Sequence, residues 1–267
     1  MKKTYYPELD ETLYTCRLEN GLTVAVVPRK GFTKKLAYFV TDYGSIHTDF
    51  QLEGTVHHAP AGVAHYLEHK MFDLPGDRDV SAEFAEMGAM TNAFTSYDMT
   101  AYYFSTTENF EGCLKLLLEF VSTPYFTQES VEKERGIIDQ EIGMNLDSPD
   151  SVIFDNLMGS LFHRHPIRVP ILGTCETIRE ITPENLHLCH KAFYTPGNMV
   201  LAISGNVTPE KVLEAVDREI GKEKREFKAR FVGFNEPAQV KKSYVERKMP
   251  VGKPLFCIGV KDCAIPE

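Results

Sequence analysis

The sequence is poor in the features that would place a chain in a membrane, a secretory pathway or a disulfide-rich class. No run of 18 apolar residues is present, so no transmembrane span is expected. The opening Met-Lys-Lys-Thr-Tyr-Tyr-Pro-Glu has two lysines but no apolar run behind them, which argues against a secretory signal. The six cysteines contain no Cys-x-x-Cys pair and lie among apolar residues, as buried free thiols do. A reducing, cytoplasmic setting is therefore expected.

An excess of positive charge is also missing. The chain has 29 Lys and Arg residues against 38 Asp and Glu residues, which gives a net charge of -9. This balance argues against nucleic acid or an anionic membrane as a partner, and solubility is its simplest role. With 43% hydrophobic residues in 267, the chain can bury an ordinary globular core without a covalent staple.

Apolar periodicity and turn residues divide the chain into short strands and helices. Strands predicted at Thr12–Arg17 and Leu22–Pro28 flank Asn20-Gly21, a strong hairpin signal. A polar loop is predicted from His47 to Pro60, and an amphipathic helix over Glu108–Ser122. Because strands and helices are interspersed and hairpins occur, the pattern predicts an α+β class rather than a strictly parallel array.

The composition changes near the end of the sequence. From Lys222 to Met249 the residues become charged and irregular, which predicts a linker or edge segment. Phe256–Val260 has the pattern of a new strand. We therefore predict a domain over residues 1–221, a linker over 222–249 and the start of a second domain over 250–267.

The residues that indicate chemistry lie in a helix predicted from Ala61 to about Phe72, which holds His-Tyr-Leu-Glu-His at residues 65–69. His65 and His69 project about 40° apart on a helix, so both rings can reach one ion. Glu68 lies about 60° to the other side of His65, a position that suits a base acting on a metal-bound water. The pattern is the inverted form of His-Glu-x-x-His.

A catalytic zinc site needs a third protein ligand and one open position. Glu134 and Glu141, on a helix predicted over Gln128–Asn145, are about 20° off two full turns and share a face, whereas Glu132 points away. One of the aligned pair would bind zinc, and the other would accept a hydrogen bond from a ligand. His57-His58 could add a ligand, but a solvated loop pair is favoured. The alternative to a metal site is a surface helix in which Glu pairs with His for stability.

Four segments resemble the signatures of the insulinase, or pitrilysin, family of zinc peptidases, which includes the mitochondrial processing peptidases. In chain order they are Gly62–His69, Thr91–Thr95, Glu134–Glu141 and His165–Arg168 with Gly173 following. The resemblance covers roughly residues 12–221. It implies a processing-peptidase-like half with a mixed, largely antiparallel sheet covered by helices.

The resemblance also implies a role for each matching residue. The implied zinc ligands are His65, His69 and Glu141, the general base is Glu68, Glu134 orients a ligand histidine, and Asn92 and Ala93 lie on an edge strand that pairs with the substrate backbone. The implied cofactor is Zn²⁺. The implied reaction is hydrolysis of peptides or small unfolded proteins by Glu68-assisted attack of a zinc-bound water.

The sequence departs from the family pattern in one respect. Family members carry two such halves, in one chain or in two, whereas this sequence holds one half and the opening of another. Either it is truncated, as the abrupt end at Cys263–Glu267 favours, or a partner subunit supplies the second half; a homodimer is also left open. The chain would then be an active endopeptidase, a noncatalytic scaffold, or a competent site that is silent without the missing half. Intact ligands and an intact Glu68 count against the scaffold.

Overall fold

A seven-stranded sheet forms the centre of the protein in a computed structural model that describes residues 1–76, 78–222 and 225–262. Its strands are β1 (Lys2–Tyr6), β2 (Glu11–Arg17), β3 (Thr23–Pro28), β4 (Lys35–Thr41), β9 (Ala89–Thr95), β10 (Thr100–Thr106) and β11 (Met199–Gly205). The spatial order is β1-β2-β3-β11-β4-β10-β9. Only the β11–β3 pair is parallel among these neighbours, so the predicted mixed, largely antiparallel sheet is confirmed.

Eight α-helices are present in the described ranges. They are α1 (Val63–Lys70), α2 (Val80–Glu86), α3 (Phe110–Ser122), α4 (Gln128–Asp147), α5 (Pro149–Leu161), α6 (Cys175–Ile178), α7 (Pro183–Phe193) and α8 (Pro209–Ile220). Short 3-10 helices cover Pro166–Arg168 and Pro196–Asn198. Ser148 and Thr182 cap the helices that follow them, because their side-chain oxygens accept the N–H groups of Ser151 and Asn185. No helix in the described part of the chain is long and apolar enough to cross a membrane.

The core lies between the sheet and the helices that pack on it. Helices α1, α2, α3 and α8 contact the strands, and their apolar faces meet alternate strand residues such as Val24, Phe39 and Leu201. This period-two burial is what a sheet with one covered face requires. The packing places α1 against β9 and β10 and against α4, which brings the two predicted metal-binding helices together.

The polar loop predicted from His47 to Pro60 is wrong. Residues Asp49–Leu52 (β5) and Thr55–His58 (β6) form an antiparallel hairpin with Leu52 opposite Thr55. The two residues between them, Glu53 and Gly54, both have positive φ, the conformation of the turn that best joins twisted strands. The usual Asn-Gly or Asp-Gly signal is replaced here by Glu-Gly, so the sequence pattern does not indicate this turn.

The strand predicted at Phe256–Val260 is also wrong, because the structure gives these residues no strand conformation. A strand needs a hydrogen-bonded neighbour, and none of the described strands pairs with this stretch. Its side chains are open to solvent, with Phe256 82% and Val260 87% exposed. Residues 263–267, the last five of the predicted second domain, lie outside the described residues. The domain boundaries themselves stay a prediction.

Residues 225–262, here called the trailing segment, run over the surface of the first 222 residues. The short strand β12 (Arg230–Phe231) pairs with β5, and the Phe231 ring stacks on His47 with centroids 3.7 Å apart. Further along, both carboxylate oxygens of Glu236 accept backbone N–H groups, from His163 at 2.8 Å and from Arg164 and His165 at 2.7 and 2.8 Å. The ammonium group of Lys261 also contacts this carboxylate.

The five described cysteines are all free thiols. The prediction of buried thiols holds for Cys113 and Cys189. It is wrong for Cys257, which is exposed in the trailing segment. Cys263 lies outside the described residues.

Candidate metal centre

The motif helix α1 is fixed at its start by two glycines. Gly62 precedes the helix with a φ of 93°, a conformation that side-chain-bearing residues rarely adopt. A Cβ on Gly62 would lie 2.5 Å from the Leu172 carbonyl oxygen, and a Cβ on Gly173 would lie 2.5 Å from the Ala61 carbonyl oxygen. Glycine at both positions therefore lets two backbone segments touch, which sets where α1 begins and which way it faces.

Three of the predicted ligand residues converge at the contact between α1 and α4. The Glu141 Oε2 atom is 3.6 Å from His65 Nε2 and 3.6 Å from His69 Nε2. In a tetrahedral zinc site with bonds of about 2.0–2.2 Å, ligand atoms are roughly 3.3–3.6 Å apart. The Glu141 oxygen is therefore spaced from both imidazole nitrogens as in a zinc site, and the three candidate ligand atoms all lie within 4.8 Å of one another.

Glu134 is not one of these three residues but contacts one of them, His69. Its Oε1 atom accepts a hydrogen bond of 2.8 Å from His69 Nδ1, so Nε2 is the His69 nitrogen that faces Glu141. Burial works to raise the pKa of Glu134, but the hydrogen bond and charge of His69, with Lys70 and Lys133, hold it below its ordinary value. The carboxylate form needed to orient His69 is thus favoured. Of the two aligned glutamates, the structure brings Glu141 to both rings and Glu134 behind one.

His65 is the more deeply enclosed of the two histidines, with 7% of its surface exposed. Burial, and then the neighbouring His69, lowers the pKa of His65 to about 3, so its ring is neutral at physiological pH. Only a neutral imidazole has a lone pair to offer a metal. Its Nδ1 atom is buried and has no hydrogen-bond partner among the described residues.

Glu68 points from α1 toward the strand β9. It is 8% exposed, and its Oε2 atom accepts a 2.6 Å hydrogen bond from the Thr95 hydroxyl. Burial raises the pKa of Glu68, although the Thr95 hydrogen bond and the charge of His69 oppose that shift. A carboxylate of raised pKa beside a metal position is suited to accept and return a proton.

Thr95 had no assigned role in the sequence, although it closes the Thr91–Thr95 segment. The alternation of a strand places Thr91, Ala93 and Thr95 on one face, and this period could have singled them out. Which of the three meets Glu68 depends on how α1 lies across the sheet, and that is visible only in the structure.

The strand β9 is the outermost strand of the main sheet in the described residues. The Ser96 N–H donates to the Met99 carbonyl at 2.7 Å, and the alternation of an antiparallel pair then leaves the main-chain groups of Ala93 on the open side. The Ala93 N–H instead donates to the Asn92 side-chain oxygen at 2.8 Å. A peptide that pairs with this edge would displace the Asn92 amide from Ala93.

His57 and His58 do not join the site. They lie in β6, where His58 pairs with Asp49 and the His57 ring packs on Phe50 at 5.5 Å. In the described ranges, the only group of three residues spaced to hold a metal ion is the trio of His65, His69 and Glu141. The favoured interpretation as a solvated loop pair is wrong about the loop, because both residues lie in a strand, where His58 is exposed and His57 is half-buried.

An α+β half with His-x-x-Glu-His on a buried helix and a carboxylate on the facing helix is the architecture of an inverted-motif metallopeptidase. A family model described as insulinase, peptidase family M16, matches residues 53–175, and one described as the M16 inactive domain matches residues 180–265. The chain belongs to the insulinase family of peptidases.

Known relatives agree with this assignment. The "Uncharacterized zinc protease YmfH" of Bacillus subtilis is 43% identical over 267 residues, which are 98% of this chain and 62% of that protein. The "Probable mitochondrial-processing peptidase subunit beta" of Arabidopsis thaliana is 30% identical over 75% of this chain and 37% of its own length. A crystal structure of an "M16-like peptidase" from Alicyclobacillus acidocaldarius superposes with a TM-score of 0.82 at 42% identity, over 87% of this chain and 55% of that one. The chain thus spans less than two thirds of each relative.

Proposed function

We propose that this chain is the catalytic half of a zinc-dependent endopeptidase that cleaves peptides or small unfolded proteins. The observation that carries the proposal is the convergence of His65, His69 and Glu141. Glu68 lies on the same helix as the two histidines. The names of the relatives, which are zinc proteases and a processing peptidase, support the same reaction class.

The donor set supports zinc as the resident metal. Two imidazole nitrogens and one carboxylate oxygen form the three-ligand set typical of catalytic zinc. The neutral ring of His65 offers the unprotonated nitrogen that a metal needs. Burial works to lower the pKa of His69, but the hydrogen bond and charge of Glu134 raise it, so the Nε2 proton would leave when zinc binds while Glu134 keeps the other proton on Nδ1. When bound, zinc would polarise a peptide carbonyl and lower the pKa of a water molecule.

The chain's own residues then supply the proton transfers and the substrate alignment. Glu68 keeps its Oε1 atom free of Thr95, so this oxygen would take the proton from the attacking water and pass it to the leaving amine nitrogen. The open edge of β9 at Asn92 and Ala93 would pair with an extended peptide backbone. Main-chain pairing accepts many sequences, which fits an unfolded substrate.

A second homologous half is proposed to complete the enzyme. The chain covers 62% of the Bacillus subtilis relative and 55% of the Alicyclobacillus acidocaldarius structure, so the relatives contain a further portion that this sequence does not match. In the proposed enzyme that portion, in the same chain or as a partner subunit, would close the substrate chamber over β9.

The central test is Glu68→Gln in the protein supplied with its second half. We expect zinc content to stay the same while hydrolysis of a quenched fluorescent peptide mixture falls by at least about 100-fold, because Gln cannot accept the proton. Undiminished turnover in Glu68→Gln would remove Glu68 from the reaction. Full zinc loading of the unsubstituted protein without hydrolysis of any peptide would favour a noncatalytic member of the family.

A second test separates the two aligned glutamates by zinc affinity, measured by competition with a chelator. Glu134→Gln should cost about 10–100-fold, as substitution of a residue that hydrogen-bonds a metal ligand usually does, because the neutral amide is a weaker acceptor for His69. Glu141→Gln should cost more, because a charged ligand is lost. The opposite order would mean that the two roles are reversed.

A further inference from the structure

We infer that Thr95 is a positioning residue for Glu68, and that its hydroxyl holds the carboxylate in the orientation needed for proton transfer. The inference rests on the proposed function and adds a residue to it. Thr95 Oγ1 lies 2.6 Å from Glu68 Oε2, a short, charge-assisted contact between the edge strand and the motif helix.

The direction of this hydrogen bond follows from its neighbours. The Thr100 hydroxyl donates to the Tyr43 carbonyl at 2.8 Å and lies 3.5 Å from the Thr95 hydroxyl. With its own proton given to Tyr43, Thr100 could only accept from Thr95, and at 3.5 Å it is a much weaker acceptor than Glu68 Oε2 at 2.6 Å. The single proton of Thr95 is therefore directed at Glu68, since an ionised carboxylate can only accept.

In the described part of the chain, Thr95 is the one side chain that hydrogen-bonds the Glu68 carboxylate. The nearby hydroxyls of Tyr102 and Tyr194 are 2.8 Å apart and bond to each other. The terminal torsion of a glutamate is broad, so a buried carboxylate without this donor would lose its fixed plane. With Oε2 held, Oε1 is the oxygen presented for the reaction.

The same residue also belongs to the open edge of the sheet. Hydrogen-bonded and non-hydrogen-bonded pairs alternate between β9 and β10, so the main-chain groups of Thr95, like those of Ala93, face the outer side of β9. A peptide paired there would thus be aligned by the backbone of the residue whose side chain fixes the base. This links the position of the scissile bond to the position of the Glu68 carboxylate.

The test compares Thr95→Val, which removes the hydroxyl at nearly constant size, with Thr95→Ser, which keeps it. In the zinc-loaded protein with its second half, Thr95→Val should lower kcat by about 10–100-fold, the worth of one hydrogen bond to a charged group, with KM within about twofold. Thr95→Ser should recover most of that loss. Thr106→Val, which removes another buried hydroxyl from the neighbouring strand, should leave kcat unchanged.

Crystal structures of the same variants give a readout that does not depend on activity. The Glu68 carboxylate should leave its position in Thr95→Val and keep it in Thr95→Ser. An unmoved carboxylate in Thr95→Val, equal losses in the Val and Ser variants, or a change confined to KM would overturn the inference. If the unsubstituted protein binds zinc but cleaves no peptide, the proposed function fails while the carboxylate position still decides the role of Thr95.

Discussion

The motif helix and the trailing segment are attached to the same core in opposite ways. Seven of the eight residues of α1, all except His69, are buried, and the side chains of Glu68, His69 and Lys70 each bond a specific partner. The trailing segment leaves Phe256 82% and Ile258 74% exposed, and it is attached at two places. One is β12 with buried Ala229 and the Phe231 ring on His47, and the other is the Glu236 carboxylate. One region is fixed by packing, and the other is tied on at a few points.

This difference follows from what each region must do. A metal site tolerates errors of only a few tenths of an ångström, so its helix must be held by packing that allows one arrangement. Even the ammonium group of Lys70, 1% exposed, is satisfied there by Asp73 and by the Ser130 carbonyl at 3.3 Å. A segment outside the candidate metal site needs no such precision, and a few contacts suffice to hold it.

The largest effect on stability is expected from Gly62→Ala at the start of α1. The positive φ costs about 1–2 kcal/mol for a residue with a Cβ, and the 2.5 Å approach to the Leu172 oxygen adds the roughly 1–3 kcal/mol of an overpacked contact. Urea unfolding should therefore show a loss of about 2–5 kcal/mol. Zinc affinity should fall as well, because α1 carries both histidines.

Gly88→Ala is the matched control for that variant. Gly88 has a φ of +73°, but a Cβ there would meet no atom within 4 Å. In Gly88→Ala the unfolding free energy should fall only by the backbone strain of about 1–2 kcal/mol, and zinc affinity should be unchanged. Equal losses in the two variants would show that the contact between Gly62 and Leu172 relaxes at little cost, and that packing does not fix the helix start.

The sequence was most informative where a short local pattern determines geometry. The four-residue spacing of His65 and His69, and the seven-residue spacing of Glu134 and Glu141, depend only on helix periodicity, and both appear in the structure as expected. Which glutamate approaches the rings could not be derived from spacing, since either lies on the correct face. The family resemblance pointed to Glu141, and the structure places that residue 3.6 Å from both rings.

Prediction failed where conformation depends on a partner far along the chain. The strand β1 (Lys2–Tyr6) is almost entirely exposed and lacks the apolar alternation that marks a strand. It forms a strand because its backbone pairs with β2. Phe256–Val260 has a strand pattern but no strand beside it. The bond from Thr95 to Glu68 joins a strand to a helix across 27 residues and depends on their packing.

The smallest effect on global stability is expected from Glu236→Gln in the trailing segment. Burial works to raise the pKa of Glu236, but Lys261 and three backbone N–H groups hold it well below the ordinary value of 4.5. Its contribution is thus fully present above pH 4.5 and is lost as the pH falls below that value. A Gln side chain would turn an NH₂ group toward donors, so the attachment should fail at neutral pH as well.

Amide hydrogen exchange would detect this release. In Glu236→Gln the N–H groups of residues 163–165 should lose protection, relative to their intrinsic exchange rates, at pH 7, while the global unfolding free energy changes by about 1 kcal/mol or less. In the unsubstituted protein the same protection should be lost as the pH falls from 4.5 toward the lowered pKa of Glu236. Glu246→Gln is the control, because Glu246 is exposed in the same segment and accepts only from Tyr244. If Glu236→Gln instead unfolds the protein at the α1 site, the trailing segment is part of the packed core and the two regions are not held differently.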